Sequence, residues 1–112
     1  MSEGPTISTH VLDAQTGRPL QGVLVQVTFF RREVNTEENW DEPVGGVTDE
    51  DGRIRRLTEG PLRTDGEYLL GFSIEGPFFR EISIVFHVDD PTRSYHVPLL
   101  LAPYSLVVYR GS

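Results

Sequence analysis

Hydrophobic residues along this chain alternate with polar ones in short runs separated by turn residues, and no amphipathic helix of useful length is visible. The run TISTHVLD predicts a first strand, closed by a turn at AQTGRP. GVLVQVTFF predicts a second, with Val23, Val25, Val27 and Phe29 on one side. RREVNTEENWDE is charged and reads as a solvated loop or a ragged strand end. PVGGVTD, the tight turn DEDG and RIRRL together predict a hairpin. After the connection TEGPLRTDG come EYLLGFSI, EISIVFHV, YHVPLLL and PYSLVVYR. About eight strands spaced by turns predict an all-β fold, an antiparallel β-sandwich.

Alternate strand residues face opposite sides of a sheet, so parity assigns each side chain to core or exterior. In the first strand Ile7 and Val11 take the core parity, which leaves Ser8, His10 and Leu12 outward. In SYHVPLLL the core parity is Tyr95, Val97, Leu99 and Leu101, leaving His96, Pro98 and Leu100 outward. In the last strand Tyr104, Leu106 and Val108 are expected to point in, and Ser105, Val107 and Tyr109 out. If these strands are neighbours, one sheet has a partly apolar outer face that also carries two histidines and a tyrosine. A face of that kind is usually covered by another subunit, so it predicts an oligomer interface.

Length and composition narrow the class without naming a chemistry. The 112 residues suit one domain that buries roughly two thirds of its unfolded surface. With no cysteine, neither a disulfide framework nor a thiolate zinc site is available. The formal charge of −7 argues against binding nucleic acid or an anionic membrane surface. All 10 basic residues are arginine, so a local cluster can still take a small anion. The N-terminus MSEGPTIST has no basic and apolar leader, and no apolar run nears the roughly 18 residues of a membrane span. A cytoplasmic protein is expected.

Taken singly, the polar residues read blandly. His10 or His96 alone on a strand is most often a surface histidine, and His87 in VFHVDD favours that reading clearly. DEDG begins like a calcium loop but lacks the later ligands and the closing glutamate. Three histidines without a carboxylate at ligand spacing make a weak zinc case, so no metal and no cofactor is expected. Arg53 can be a solvated strand residue, as Arg55 and Arg56 are expected to be. The acidic stretch from Glu33 to Glu42 reads as a solvated excursion.

Read together and in order, STHVLDAQTGRP, TDEDGR and YHVPLLLAPYSLVVYRGS resemble the 5-hydroxyisourate hydrolase branch of the transthyretin-like family, with Trp40 where that family tends to carry one. The terminal YRGS is the most specific part, because it separates the enzymes from the hormone-carrying transthyretins. The resemblance implies one domain over residues 1–112, built as a transthyretin-like β-sandwich of two four-stranded antiparallel sheets. It also implies a homotetramer, a dimer of dimers, with active sites at the dimer–dimer interface. Carried over, the catalytic set is His10, Arg53, His96 and Ser112, and the substrate-binding set is Tyr109, Arg110 and Gly111. The chain's end is thereby expected to help wall a pocket. The implied reaction is hydrolytic opening of the six-membered lactam ring of 5-hydroxyisourate in urate (purine) catabolism, with water activated by a histidine. Arg53 and Arg110 are planar donors suited to a flat oxygen-bearing ligand.

Two departures from the family pattern stand out. Ala102 replaces a serine before Pro103, and Leu106-Val107-Val108 replaces an aromatic and hydroxyl-bearing run, leaving Val107 where a small hydroxyl is expected. EGPFFREI is short, with Arg80 in a proline's place, so the family's helix between the fifth and sixth strands is expected to be shortened or absent. The alternative is a non-catalytic transthyretin-like small-molecule binding protein, which the apolar Val107 favours and which His10, Arg53, His96 and Ser112 together oppose. A structural adhesion or carbohydrate-binding sandwich fits the fold class equally well but leaves YRGS unexplained.

Overall fold

The computed structural model describes residues 4–31 and 40–111, so Ser112 and most of the acidic stretch lie outside it. Eight strands follow in order: β1 (Ile7–Asp13), β2 (Leu24–Phe30), β3 (Val44–Val47), β4 (Arg53–Ile54), β5 (Glu67–Ser73), β6 (Glu81–Phe86), β7 (Tyr95–Leu101) and β8 (Leu106–Val108). They form two four-stranded sheets, β4-β1-β7-β8 and β3-β2-β5-β6. The period-2 pattern produces this directly. Ile7, Val11, Val97 and Leu99 of the first sheet are buried, as are Val25, Val27, Leu70 and Phe72 of the second. These two inner faces form one core, to which Leu106 and Val108 add from the edge. No helix occurs among the described residues, and the short segment between β5 and β6 is irregular.

Three expectations need correction. The segment around the DEDG turn is not a hairpin within one sheet: β3 pairs with β2, whereas β4 pairs with β1. Thr48, 2% exposed, fixes the crossing. Its hydroxyl donates to the Leu20 carbonyl at 2.6 Å and accepts the Val23 N–H at 2.9 Å. That staples the chain to the β1–β2 connection just before the turn carries it to the other sheet. Second, β1 and β7 run parallel, from Ile7 opposite Tyr95 to Asp13 opposite Leu101, so one pair in the first sheet departs from antiparallel order. Third, Tyr104 is 73% exposed, because it sits in the β7–β8 turn, where parity does not apply.

Candidate active site

The outer face of the first sheet holds the candidate chemistry. Ile7, Thr9 and Val11 fill the core, so Ser8, His10 and Leu12 must point out from β1. Opposed residues in a ladder share a face, and three ladders converge here. On one side of β1, His10 opposes Arg53 of β4. On the other, Ser8 opposes His96 and His10 opposes Pro98 of β7, placing the two histidines on successive outward-facing pairs. Beyond β7, Gly111 bridges to His96, its N–H donating to the His96 carbonyl at 2.7 Å. Three of the expected residues, His10, Arg53 and His96, are thereby brought together, with Gly111 against them.

The turn between β3 and β4 is built to serve this face. Asp49 Oδ1 accepts the N–H groups of Asp51 and Arg53, each at 2.9 Å. The Arg53 N–H is the main reason its carboxyl sits below the usual carboxylate range. Gly52 has φ +74°, and a Cβ there would lie 2.5 Å from the Val11 carbonyl oxygen, so only glycine closes the turn this tightly against β1. The Gly52 carbonyl accepts the Val11 N–H at 2.7 Å. The result aims the Asp51 carbonyl at His10 Nε2, 2.9 Å away. A carbonyl only accepts, so Nε2 of His10 carries the proton and neutral His10 offers its lone pair at Nδ1.

His96 is held differently. Its Nδ1 lies 2.8 Å from Ser8 Oγ. Burial first, then the charges of Arg53 and His10, push its imidazole below the ordinary value of 6.5. Burial and these charges favour the neutral imidazole, the form that can accept a proton. The protonation midpoint of His96, followed by NMR, is therefore expected below 6.5. In Arg53→Gln it should rise without reaching 6.5, because burial, the largest cause, remains. A wild-type midpoint at or above 6.5 would remove this account of the site.

The remaining expected residues divide. Tyr109, 49% exposed, opposes Pro98 in the continued register, so it shares the histidine face, as does Val107 at 53%. Arg110 takes the opposite parity. Its guanidinium carbon lies 4.8 Å from the centre of the Tyr95 ring, on the core side of the sheet. Tyr95 in turn donates to Asp89 Oδ1 at 2.6 Å. Arg110 thus packs the segment after β8 against Tyr95 and, among the described residues, makes no contact with the histidines. Ser112 is outside the described residues. Two contributors had no signal in the pattern. The Asp51 carbonyl is backbone, and Ser8, although visibly outward, has a partner only once the β1–β7 register is known.

The site is a sheet face and not a cavity. A groove of about 390 Å³ lies against Phe86, Tyr95, Val108 and Arg110, and another of about 550 Å³ against Ile74, Phe79, Leu101 and Pro103. Neither is lined by His10, Arg53 or His96. Among the described residues no group of three histidine or carboxylate side chains is arranged to hold a metal ion, and no helix is long and apolar enough to cross a membrane.

Comparison with known proteins gives this arrangement its setting. The 5-hydroxyisourate hydrolase of Salmonella dublin is 37% identical over 114 residues, covering 95% of this chain and 80% of its own. That of Mus musculus is 34% identical over 119 residues, covering 99% and 98%. The solved structure of Klebsiella pneumoniae 5-hydroxyisourate hydrolase aligns with a TM-score of 0.76 at 31% identity, covering 96% of this chain and 99% of that one. The family model described as HIUase/Transthyretin matches residues 7–111, nearly the whole chain, and the protein belongs to that family.

Proposed function

We propose that the protein is a hydrolase that opens the six-membered lactam ring of 5-hydroxyisourate. The observation that carries this reading is the convergence of His10, Arg53 and His96 on one face, in a chain whose relatives are named for that activity. Hydrolysis of a cyclic amide needs a base for water, a donor for the developing oxyanion and a proton for the departing nitrogen. Water adds its oxygen to the ring carbonyl carbon while a histidine takes its proton. Arg53, a fixed planar cation beside the histidines, stabilises the oxyanion of the tetrahedral intermediate. Collapse then breaks the carbon–nitrogen bond, and the imidazolium returns its proton to the nitrogen. The ring opens, one water is consumed, and a carboxylic acid and a ureido N–H are left. No cofactor enters this cycle.

Substrate recognition falls to Tyr109 and Gly111 on the same face, and the resemblance to the enzyme branch adds Ser112 to the catalytic set. Arg110 contributes by packing the segment after β8 against Tyr95. An open sheet face encloses nothing, so we further propose a homotetramer, a dimer of dimers, in which a second copy covers this face. The half-buried Leu12 and Leu100 and the exposed Val107 supply the apolar part of that contact.

The test is to generate 5-hydroxyisourate from urate with urate oxidase and to follow its ultraviolet decay. Decay well above the spontaneous rate is expected when the protein is added. Decay at the spontaneous rate would overturn the hydrolase reading and leave a binding protein, with Val107 the first position to revert to serine.

A further inference from the structure

We propose that Ser8 is a positioning residue for His96, holding Nδ1 so that Nε2 is the nitrogen that exchanges protons with water and substrate. This rests on the hydrolase reading above. It comes from the contrast between the two histidine anchors. His10 is anchored by a backbone carbonyl, which accepts a hydrogen bond and never donates one. That anchor fits only the forms of His10 that carry a proton on Nε2. His96 is anchored by a hydroxyl, at 2.8 Å from Nδ1. A hydroxyl both donates and accepts by turning about its C–O bond, so it matches neutral His96 in either tautomer and the imidazolium as well. His96 can therefore pass through a full protonation cycle at Nε2 without losing its hold on the sheet.

The backbone makes the contact specific. Parallel pairing of β1 and β7 sets Ser8 directly opposite His96, both on the outer face. The groups that face the His96 ring are Ser8 and His10 from β1, Arg53 from β4 and Gly111 beyond β8, with Tyr109 on the same face. Among these Ser8 is the one that contacts Nδ1. Arg53 only donates, and His10 is anchored instead to the Asp51 carbonyl, so neither takes the place of the Ser8 hydroxyl at Nδ1.

The experiment compares wild type, Ser8→Ala and Ser8→Thr in the full chain. Turnover of 5-hydroxyisourate is measured alongside the imidazole nitrogen signals of His96 by NMR. Ser8→Ala is expected to lower kcat by about tenfold with KM nearly unchanged, the size of one hydrogen bond lost from a working group. It should also shift the His96 Nδ1 signal and its titration, while the His10 signals stay in place. Ser8→Thr, whose hydroxyl reaches the same position and whose β-branched side chain suits a strand, should restore both. Wild-type kcat in Ser8→Ala, or an unmoved His96 signal, would overturn the proposal. A wild-type protein that does not accelerate the reaction, yet shows the His96 shift in Ser8→Ala, would remove the hydrolase reading and leave the anchor standing.

Discussion

Replacing His96 by alanine is expected to lower turnover of 5-hydroxyisourate by about 10²–10⁴-fold, the usual range for removing a group that transfers a proton in the transition state. The fold should survive. His96 points away from the core formed by Val97, Leu99 and their partners, and its backbone carbonyl, which holds Gly111, is kept in the variant. Thermal unfolding that stays within a few degrees of wild type would separate loss of chemistry from loss of structure. The matching His10→Ala variant addresses the division of labour. With Nε2 of His10 committed to the Asp51 carbonyl, His10 acts at Nδ1 or through its charge, so its loss is expected to be smaller than that of His96. Removing both should cost less than the product of the single losses, because groups that serve one transition state are not additive. Activity that persists in the double variant would end the assignment of water activation to histidine.

Much of this site was legible in the sequence, for a definite physical reason. Strand periodicity places residues on faces, so Ser8, His10, His96, Val107 and Tyr109 could be put outside together before any contact was known. Periodicity does not say which strands are neighbours. The parallel β1–β7 pair joins residues 88 positions apart, as in Ser8 to His96, and nothing local at either end encodes it. The turn from Asp49 to Gly52 shows the same limit. Its Asp and Gly chemistry is that of any tight turn, and it is Thr48 bonded to Leu20 and Val23 that sends the chain across to the other sheet. Arg110 marks a third boundary. The terminal YRGS drew all its residues into one expected site, whereas alternation along the strand sends Arg110 to the Tyr95 side and Gly111 to the His96 side.

That split makes Gly111 the second position where a small change should have a large effect. A Cβ at residue 111 would lie 2.8 Å from Cδ2 of His96 and 3.4 Å from its Cγ, closer to the ring edge than carbon atoms settle. Gly111 is not among the glycines with positive φ, so alanine is acceptable to the backbone torsions, and the sharpest conflict is with the imidazole, the His96 carbonyl oxygen lying 3.4 Å away. Two responses are open to Gly111→Ala. The ring turns and gives up Ser8 Oγ, or the terminal strand lifts and loses the 2.7 Å bond from Gly111 N–H to the His96 carbonyl. Either displaces a reacting group by a good fraction of an ångström, which is expected to lower kcat by roughly 10²-fold while the core packing is untouched. Combining Gly111→Ala with Ser8→Ala distinguishes the two. If the ring turns, Ser8 is already lost and the second substitution adds little. If the strand lifts, the two losses multiply. Wild-type turnover in Gly111→Ala would mean that the glycine's close approach to His96 has no part in the chemistry, and that His96 needs no wall on this side.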